Sequence, residues 1–278
     1  MKKYLVIGNP IEHSLSPLIH NYWMKKNGLK DSIYEKRKVE EEDLEDIVNQ
    51  VRNEELAGVN VTLPFKEKIV PFLDRLDDTA THSKTVNTLL NVGSKKVLGL
   101  NTDGTGFDRS FAKNINDELN GKDIFVIGAG GATLQILLSF VLYANKIYIT
   151  NRTKKKAEQL RDKHNGIIVG KKKKIEVIDW GDTPKVCDLV INTTSVGLRK
   201  DENLGIDFKE YEKNKNVLFY DLIYNPEETN FLRDARLRGN KTMNGKMMFL
   251  NQALVSFERW TGISTERIDN EVIKLLKR

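Results

Sequence analysis

The stretch KDIFVIGAGGATLQILLSFVLYANKIYITNRT, residues 122–153, decides the fold. It opens with an apolar run, DIFVI, and meets Gly128 and Gly130 at once. A helix-length segment follows, and a second strand-like run, KIYIT, closes it. Strand, glycine turn, helix and strand within about 30 residues is the length of a βαβ unit. Glycines at that turn bend the chain tightly and let a phosphate approach the N–H groups of a helix N-terminus. The strict G-x-G-x-x-G pattern is not met, because Thr133 stands at its third position. Ala132 is therefore expected to supply the close packing. A glycine pair alone says little. Between a strand and a helix it points to a dinucleotide.

The residues after the second strand choose between two dinucleotides. Where an acid would hold the ribose diol of NAD, the chain has Asn151-Arg152-Thr153, with Lys156 one helical turn on. A carboxylate would repel a 2′-phosphate, whereas a guanidinium binds it through two parallel hydrogen bonds. That favours NADP over NAD; the plain alternative is a surface arginine after a strand.

Outward from this unit, strand-like and helix-like runs alternate almost from end to end, which predicts an α/β architecture with parallel pairing. Downstream the strands are IEVID (175–179), CDLVINTT (187–194) and VLFYDLIY (217–224). Upstream they are KYLVIG (3–8), IYEKRKV (33–39), GVNVTL (58–63) and VNTLLNV (86–92). The helix after the first strand is punctuated by Ser16 as N-cap, Pro17 at its first position and Gly28 past its end. Leu18, Ile19, Tyr22 and Trp23 give it an apolar stripe. At LGLNTDGTGF (98–107) a strand ends in polar residues, and two glycines lead into a helix expected to run to about Leu119. The tail, GKMMFLNQALVSFERW and STERIDNEVIKLLK, reads as helical. Two domains fit this order. Residues 1–104 with 241–278 form one, and 105–240 form a Rossmann-type, doubly wound one, with seams near 105 and 240.

Composition removes several classes of function. With 39% hydrophobic and 30% charged residues, the 278-residue chain is that of an ordinary soluble protein of one or two domains. Its apolar runs, such as ILLSFVLYA (136–144), are too short to span a bilayer. MKKYLVIGNP lacks the long apolar run and small-residue cleavage site of a signal peptide, so a cytoplasmic protein is expected. A single cysteine, Cys187, excludes an internal disulfide and a thiolate cluster, and its apolar setting predicts a buried strand thiol. His13, His20, His82 and His164 show no ligand spacing, so no metal site is expected. The net charge of +6 rests partly on the tracts TKKK (153–156) and GKKKK (170–174). Without interleaved aromatics these read as solvated loops rather than a nucleic-acid surface. An anionic small molecule is the simpler partner.

Three upstream strands end in polar clusters. GNPIEHSLSP (8–17) offers Ser14 and Ser16, GVNVTLPFK (58–66) offers Asn60, Thr62 and Lys66, and LNTDGTGF (100–107) offers Asn101 and Asp103. Each has a plain alternative: Ser16 as N-cap, Lys66 as a solvated lysine at a helix start, Asp103 as a helix cap. In an open α/β sheet, ligands bind beyond the carboxyl ends of the strands, and all three clusters would gather on one edge of one sheet.

With GNPIEHSLSPLIHN, GVNVTLPFK, TVNTLL, GLNTDGTGF, GAGGA, NRT, INTTSVGL, YDLIYNP and NGKMMFLNQA in family order, the sequence resembles the shikimate dehydrogenase family over nearly its whole length. The resemblance implies NADP-dependent, reversible reduction of 3-dehydroshikimate to shikimate, in the pathway to chorismate and the aromatic amino acids. It implies that Ser14 and Ser16 bind the substrate carboxylate, and that Thr62, Asn87 and Gln252 hold the ring hydroxyls. Tyr224 is implied as a further substrate contact, with Lys66 and Asp103 as the catalytic pair. On the cofactor side it implies Gly128, Ala129, Gly130, Gly131 and Ala132 as the pyrophosphate loop. Asn151, Arg152, Thr153 and Lys156 become the 2′-phosphate clamp, and Leu222 and Gly245 the nicotinamide end. The role of Gln252 implies that the C-terminal helix returns to the first domain. Hydride reduction of a ketone needs a proton at the forming alkoxide. Lys66 as ammonium would stabilise that oxygen and donate the proton, in a pair with Asp103 that titrates as a unit.

Three departures from the family stand out: Lys84-Thr85 where Gly-Ala is usual, Leu222 where methionine is known, and RKDENLG without a proline often found there. Bulkier residues at 84 and 85 are expected to reshape the loop beside Asn87. Two rivals remain: a quinate/shikimate dehydrogenase that also uses NAD, against which Arg152 and the serine pair lean, and a non-catalytic ligand sensor, against which Lys66 and Asp103 speak. A monomer and a homodimer fit equally.

Overall fold

The computed structural model describes residues 1–111, 118–165, 175–185, 187–213, 216–264 and 268–276. The lysine tract at 170–174 lies outside them. The helix expected to run to about Leu119 is not continuous: it ends at Asp108, residues 109–111 are not helical, and residues 112–117 lie outside the described residues. The chain divides into two units, Met1–Gly106 with Leu250–Arg278, and Phe107–Phe249.

The first unit is built on strands β1 (Lys2–Gly8), β2 (Ser32–Lys38), β3 (Gly58–Val61), β4 (Arg75–Leu76), β5 (Thr88–Asn91) and β6 (Val97–Leu100). They lie in the order β2-β1-β3-β5-β6-β4. Pairing is not all parallel as expected, because β5 runs antiparallel to both β3 and β6. Only residues 92–96 connect β5 to β6. A parallel crossover needs a dozen residues or more, so a connection of this length dictates a hairpin. Helix α2 (Leu44–Arg52) buries Leu44, Ile47, Val48 and Val51, spaced i, i+3, i+4 and i+7. Each contributes about 1.5–3 kcal/mol on burial, which a nine-residue helix needs, since a helix that short is marginal alone. Those residues meet Leu5, Ile7, Val59, Val61 and Leu89 of the sheet in one core cluster.

Helix α1 (Ser16–Lys26) covers other residues than its sequence suggests. Ile19, His20, Trp23 and Met24 are buried, whereas Leu18 is 43% exposed. The His20 ring stacks on Tyr34 at 4.2 Å, and burial pushes its pKa down to about 3. A neutral imidazole thus behaves as an aromatic core residue, which periodicity alone would score as polar. Ser16 is not the N-cap. It is the first helical residue, buried, and its side chain makes no capping bond. Helix α3 (Asp78–Ser83) lies in this unit, and the division after Gly106 falls inside α4 (Asp103–Asp108).

The second sheet comprises β7 (Asp123–Ile127), β8 (Lys146–Thr150), β9 (Ile175–Val177), β10 (Leu189–Asn192), β11 (Leu218–Asp221) and β12 (Lys241–Met243). Every pair in it is parallel, and the order is β12-β11-β10-β7-β8-β9. Counted from β7, this is the 3-2-1-4-5-6 arrangement of a doubly wound sheet, with its switch point between β7 and β10. Alternate residues of β7 serve two cores. Ile124 and Val126 pack with helices α5 (Gly131–Phe140) and α6 (Lys154–Asn165). Phe125 and Ile127 pack with Phe208, Tyr211 and helix α7 (Asn230–Leu237). Burial on both faces is why these strands read as unbroken apolar runs.

Helix α8 (Lys246–Thr261) carries the chain back. Met248 joins the core of the second unit, so the division at Leu250 falls inside this helix, beyond the seam expected near 240. The short α9 (Asn270–Leu275) follows, its N-cap Asp269 accepting from Val272 N and pairing with Lys26 of α1. No described helix is long and apolar enough to cross a membrane.

Candidate active site

Strand β3 positions the first group of polar residues. Its Asn60 is buried and its amide is spent inside the fold: it accepts from the Tyr34 hydroxyl at 2.7 Å and donates to Asn87 O, Thr88 Oγ1 and Ser256 Oγ at 3.0–3.1 Å. The expectation that Asn60 faces a ligand is therefore corrected. Thr62 differs. It is half-buried, its methyl group lies against Gly8, and no described residue bonds its hydroxyl.

Lys66 and Asp103 meet. Lys66 Nζ lies 2.6 Å from Asp103 Oδ2, with side chains 19% and 9% exposed. The other carboxylate oxygen accepts from Asn87 Nδ2 at 2.8 Å. Asn87 is itself fixed from three directions. Its amide donates to Thr102 Oγ1 at 2.9 Å, and its carbonyl accepts from Thr102 N at 3.0 Å and Thr88 Oγ1 at 2.9 Å. Thr102 Oγ1 also reaches Gln252 Oε1 at 3.4 Å. Asp103 does not cap α4, as one reading of the sequence had it; Asn101 Oδ1 takes Asp103 N at 3.0 Å and leaves the carboxylate to Lys66 and Asn87. Backbone bonds hold the Lys66 turn, with Val86 N donating to Lys66 O at 2.8 Å.

Ser14 sits on the loop that leaves β1 for α1, and Ser16 is the first residue of α1. Ser14 Oγ accepts from Ser16 N at 3.4 Å, and Ser16 faces the Tyr34 hydroxyl. The loop starts beside Thr62, with Asn9 N donating to Leu63 O at 3.2 Å. Lys36 Nζ holds its Glu12 carbonyl.

The departure at 84 and 85 has a local explanation. Lys84 ends α3 in the left-handed conformation, at φ +56°, where glycine fits without strain. Thr85 is buried and uses its hydroxyl: Oγ1 donates to Ser83 Oγ and accepts from Asn101 Nδ2, both at 2.9 Å. Thr85 thus steadies the residue that caps α4, a role alanine cannot fill. An L-residue in the left-handed region costs roughly 1–2 kcal/mol, partly offset by the entropy glycine loses on folding. Lys84→Gly is expected to raise the free energy of unfolding by about 0.5–1 kcal/mol in a urea titration. A destabilised variant would contradict the strained conformation at Lys84.

In the second unit the glycine turn lies at the switch point. Gly128 has φ +114°, and a Cβ there would come within 2.3 Å of Thr193 Oγ1, the residue after β10. Gly130 begins α5; it is exposed, and a Cβ there would meet nothing within 4 Å. Close packing comes from Thr133, not from half-buried Ala132. Thr133 is fully buried, takes Gly130 N at 3.1 Å and shares a hydrogen bond with Thr193 Oγ1 at 2.7 Å. The residue that breaks the glycine pattern is therefore the one that fixes the turn.

Beyond β8, Arg152, Thr153 and Lys156 are exposed, and Asn151 Nδ2 bonds Thr153 O at 2.9 Å. Between them Lys154 is tied to Asp179 at 2.6 Å, while Arg152 and Lys156 pair with no carboxylate among the described residues. At the far end of the sheet Leu222 and Gly245 touch: a Cβ on Gly245 would lie 2.0 Å from Leu222 O. Tyr224 stacks on Phe249 at 4.1 Å, and burial pushes its hydroxyl up to about 12.

A doubly wound sheet in this strand order, with a glycine turn at its switch point, is a dinucleotide-binding fold. Residues 6–89 match the family model for the shikimate dehydrogenase substrate binding domain, and residues 110–223 that for shikimate / quinate 5-dehydrogenase. A shikimate dehydrogenase (NADP(+)) of Pelagibacter ubique is 43% identical over 276 residues, 99% of this chain and 98% of that protein. A solved shikimate dehydrogenase in complex with NADP+ has a TM-score of 0.86 at 30% identity, covering 99% of this chain and 94% of its own. One from Thermus thermophilus, in complex with NADP(H) and shikimate, has a TM-score of 0.84 at 27% identity, covering 100% and 99%. This chain belongs to the shikimate dehydrogenase family.

Proposed function

We propose that the protein is an NADP-dependent shikimate dehydrogenase, reversibly reducing 3-dehydroshikimate to shikimate in the route to chorismate and the aromatic amino acids. The observation that carries this reading is the ion pair of Lys66 and Asp103, held by Asn87, in a chain of this family. Residues 1–104 with 241–278 are assigned to the substrate and residues 105–240 to NADP. Ser14 and Ser16 take the substrate carboxylate; Thr62, Asn87 and Gln252 take the ring hydroxyls, and Tyr224 is a further substrate contact. That no described residue bonds the Thr62 hydroxyl supports its place in that set.

The second unit fits the cofactor. The open face of Gly130 leaves room for a pyrophosphate at the N-terminus of α5, and Arg152 and Lys156, which pair with no carboxylate among the described residues, suit a 2′-phosphate with Asn151 and Thr153. Leu222 and Gly245 are placed at the nicotinamide end. NADP, when bound, supplies or takes the hydride. The protein does the rest. Lys66 Nζ stabilises the developing alkoxide and gives it a proton, and takes the proton back in the oxidation. Asp103 orients the ammonium through Oδ2, and Asn87 orients Asp103. We place the protein in the cytoplasm, a reading its single cysteine supports: Cys187 is buried and its thiol is pushed up to about 12 by burial, so it is chemically quiet.

The test is reduction of NADP+ or NAD+ followed at 340 nm, with shikimate and with quinate, on wild type and Arg152→Ala. Wild type is expected to reduce NADP+ with shikimate and to be poor with the other pairings. Arg152→Ala is expected to raise the KM for NADP+ roughly 10- to 100-fold, the worth of charge-assisted hydrogen bonds, with NAD+ nearly unchanged. Equal activity with quinate or NAD+ would make it the broader-specificity enzyme. No turnover with any pairing would leave a binding protein.

A further inference from the structure

Asp221 ends β11 completely buried, and its three hydrogen bonds all come from uncharged donors: Thr229 Oγ1 at 2.6 Å, Ile223 N at 3.0 Å and Asn192 Nδ2 at 3.1 Å. We propose that Asp221 is a positioning residue for the cofactor, its carboxylate clamping the Leu222–Ile223 turn and, through Asn192, the loop that braces the glycine turn. This rests on the NADP reading of the second unit.

The connections run both ways from one carboxylate. On one side, Ile223 N bonds Asp221 Oδ1 and Gly245 N bonds Ile223 O at 3.0 Å, which seats Gly245 under the Leu222 carbonyl. On the other, Asn192 stands in register with Asp221, and its backbone carbonyl takes Leu222 N at 3.0 Å. Its side-chain oxygen takes Thr194 N at 3.0 Å and Thr194 Oγ1 at 2.7 Å. Thr193, between them, reaches Thr133 and so Gly130 N. One buried group thus links the residues placed at the nicotinamide with those placed at the pyrophosphate.

The choice of a carboxylate is informative. Three donors converge on this site, and a carboxylate accepts at both oxygens; an asparagine would accept at one and bring two N–H groups with nothing to receive them. Burial pushes the Asp221 carboxyl up to about 6, so near neutral pH the ion is held against its own desolvation. A raised carboxyl pKa means that its contribution to stability is full below the unfolded value, about 4, and lost as pH rises through 6. At neutral pH the ion is therefore less favourable in this site than the protonated acid would be, and its three donors offset part of that cost. Other charged groups of this region are engaged elsewhere, Lys246 with Glu227 at 2.6 Å and Glu202 with Gly197 N and Arg199.

The decisive variant is Asp221→Asn in the full-length protein at pH 7.5, measured for unfolding midpoint, NADP+ affinity by calorimetry, and KM for shikimate at saturating NADP+. The expected result is an NADP+ dissociation constant up about tenfold with a shikimate KM within about twofold of wild type, alongside the lower midpoint that the two unreceived N–H groups would bring. Unchanged NADP+ affinity overturns the proposal, as does a parallel loss of midpoint, cofactor and substrate. If Asp221→Asn does not fold, Thr229→Val removes one donor and leaves the carboxylate; a smaller rise in the same constant supports the role, and none overturns it. A wild-type protein that binds no NADP+ overturns the reading of the second unit and this role with it. Wild-type binding with an indifferent variant overturns this role alone.

Discussion

Lys66→Ala is expected to lower kcat by about two to four orders of magnitude, the scale of a lost general acid, and still to fold. On the proposed role the rate should fall because Nζ is, among the described residues, the ammonium held beside Asp103, at 2.6 Å, and a water in its place would bring no charge to the forming alkoxide. The fold survives because the lysine backbone is tied by Val86 N, and Asp103 keeps Asn87 Nδ2 at 2.8 Å. The stability cost lies between the limits for exposed and buried pairs, since the side chains are 19% and 9% exposed; about 1–3 kcal/mol is expected. Turnover and thermal unfolding measured on one preparation separate the two effects. A variant within about tenfold of wild type in kcat would remove Lys66 from the chemistry.

That pair was legible because each member closes a strand-like run, and the ends of such runs collect on one edge of a sheet. The βαβ unit was legible for a similar reason: strands buried on both faces leave unbroken apolar runs such as DIFVI. Pairing direction was harder, although the five residues of 92–96 between β5 and β6 already ruled out a crossover. Two-residue β4 has no alternation to detect. His20 reads as polar, yet a neutral imidazole stacked on Tyr34 belongs to the core. Asn192 and Asp221 were not legible as a pair. In the sequence each is a polar residue after an apolar strand, and only the register of β10 against β11 places them side by side. Thr133 was legible only as a missing glycine, because its partner Thr193 is brought to it by a strand crossover.

Gly245→Ala is expected to cost about a hundredfold in kcat/KM for NADP+, and about 1–3 kcal/mol of stability, because the added carbon meets backbone and not a side-chain end that can swing away. A Cβ at 245 would lie 2.0 Å from Leu222 O and 2.5 Å from Leu222 C. Neither side can yield freely. Leu222 N is bound to Asn192 O and Ile223 N to Asp221, while Gly245 O receives Phe249 N at 2.8 Å in the first turn of α8. Relief must therefore displace either the turn or the helix start, and both carry residues assigned to the nicotinamide end. Gly130→Ala is the matched control. At φ −97° alanine is unstrained, and its Cβ would meet no protein atom within 4 Å, so stability should hold and any loss of NADP+ affinity must come from the ligand itself. If Gly245→Ala binds NADP+ and unfolds like wild type, the contact between Leu222 and Gly245 does not set the cofactor site. If it fails in both respects while Gly130→Ala fails in affinity alone, one glycine is required by the protein and the other by the phosphate.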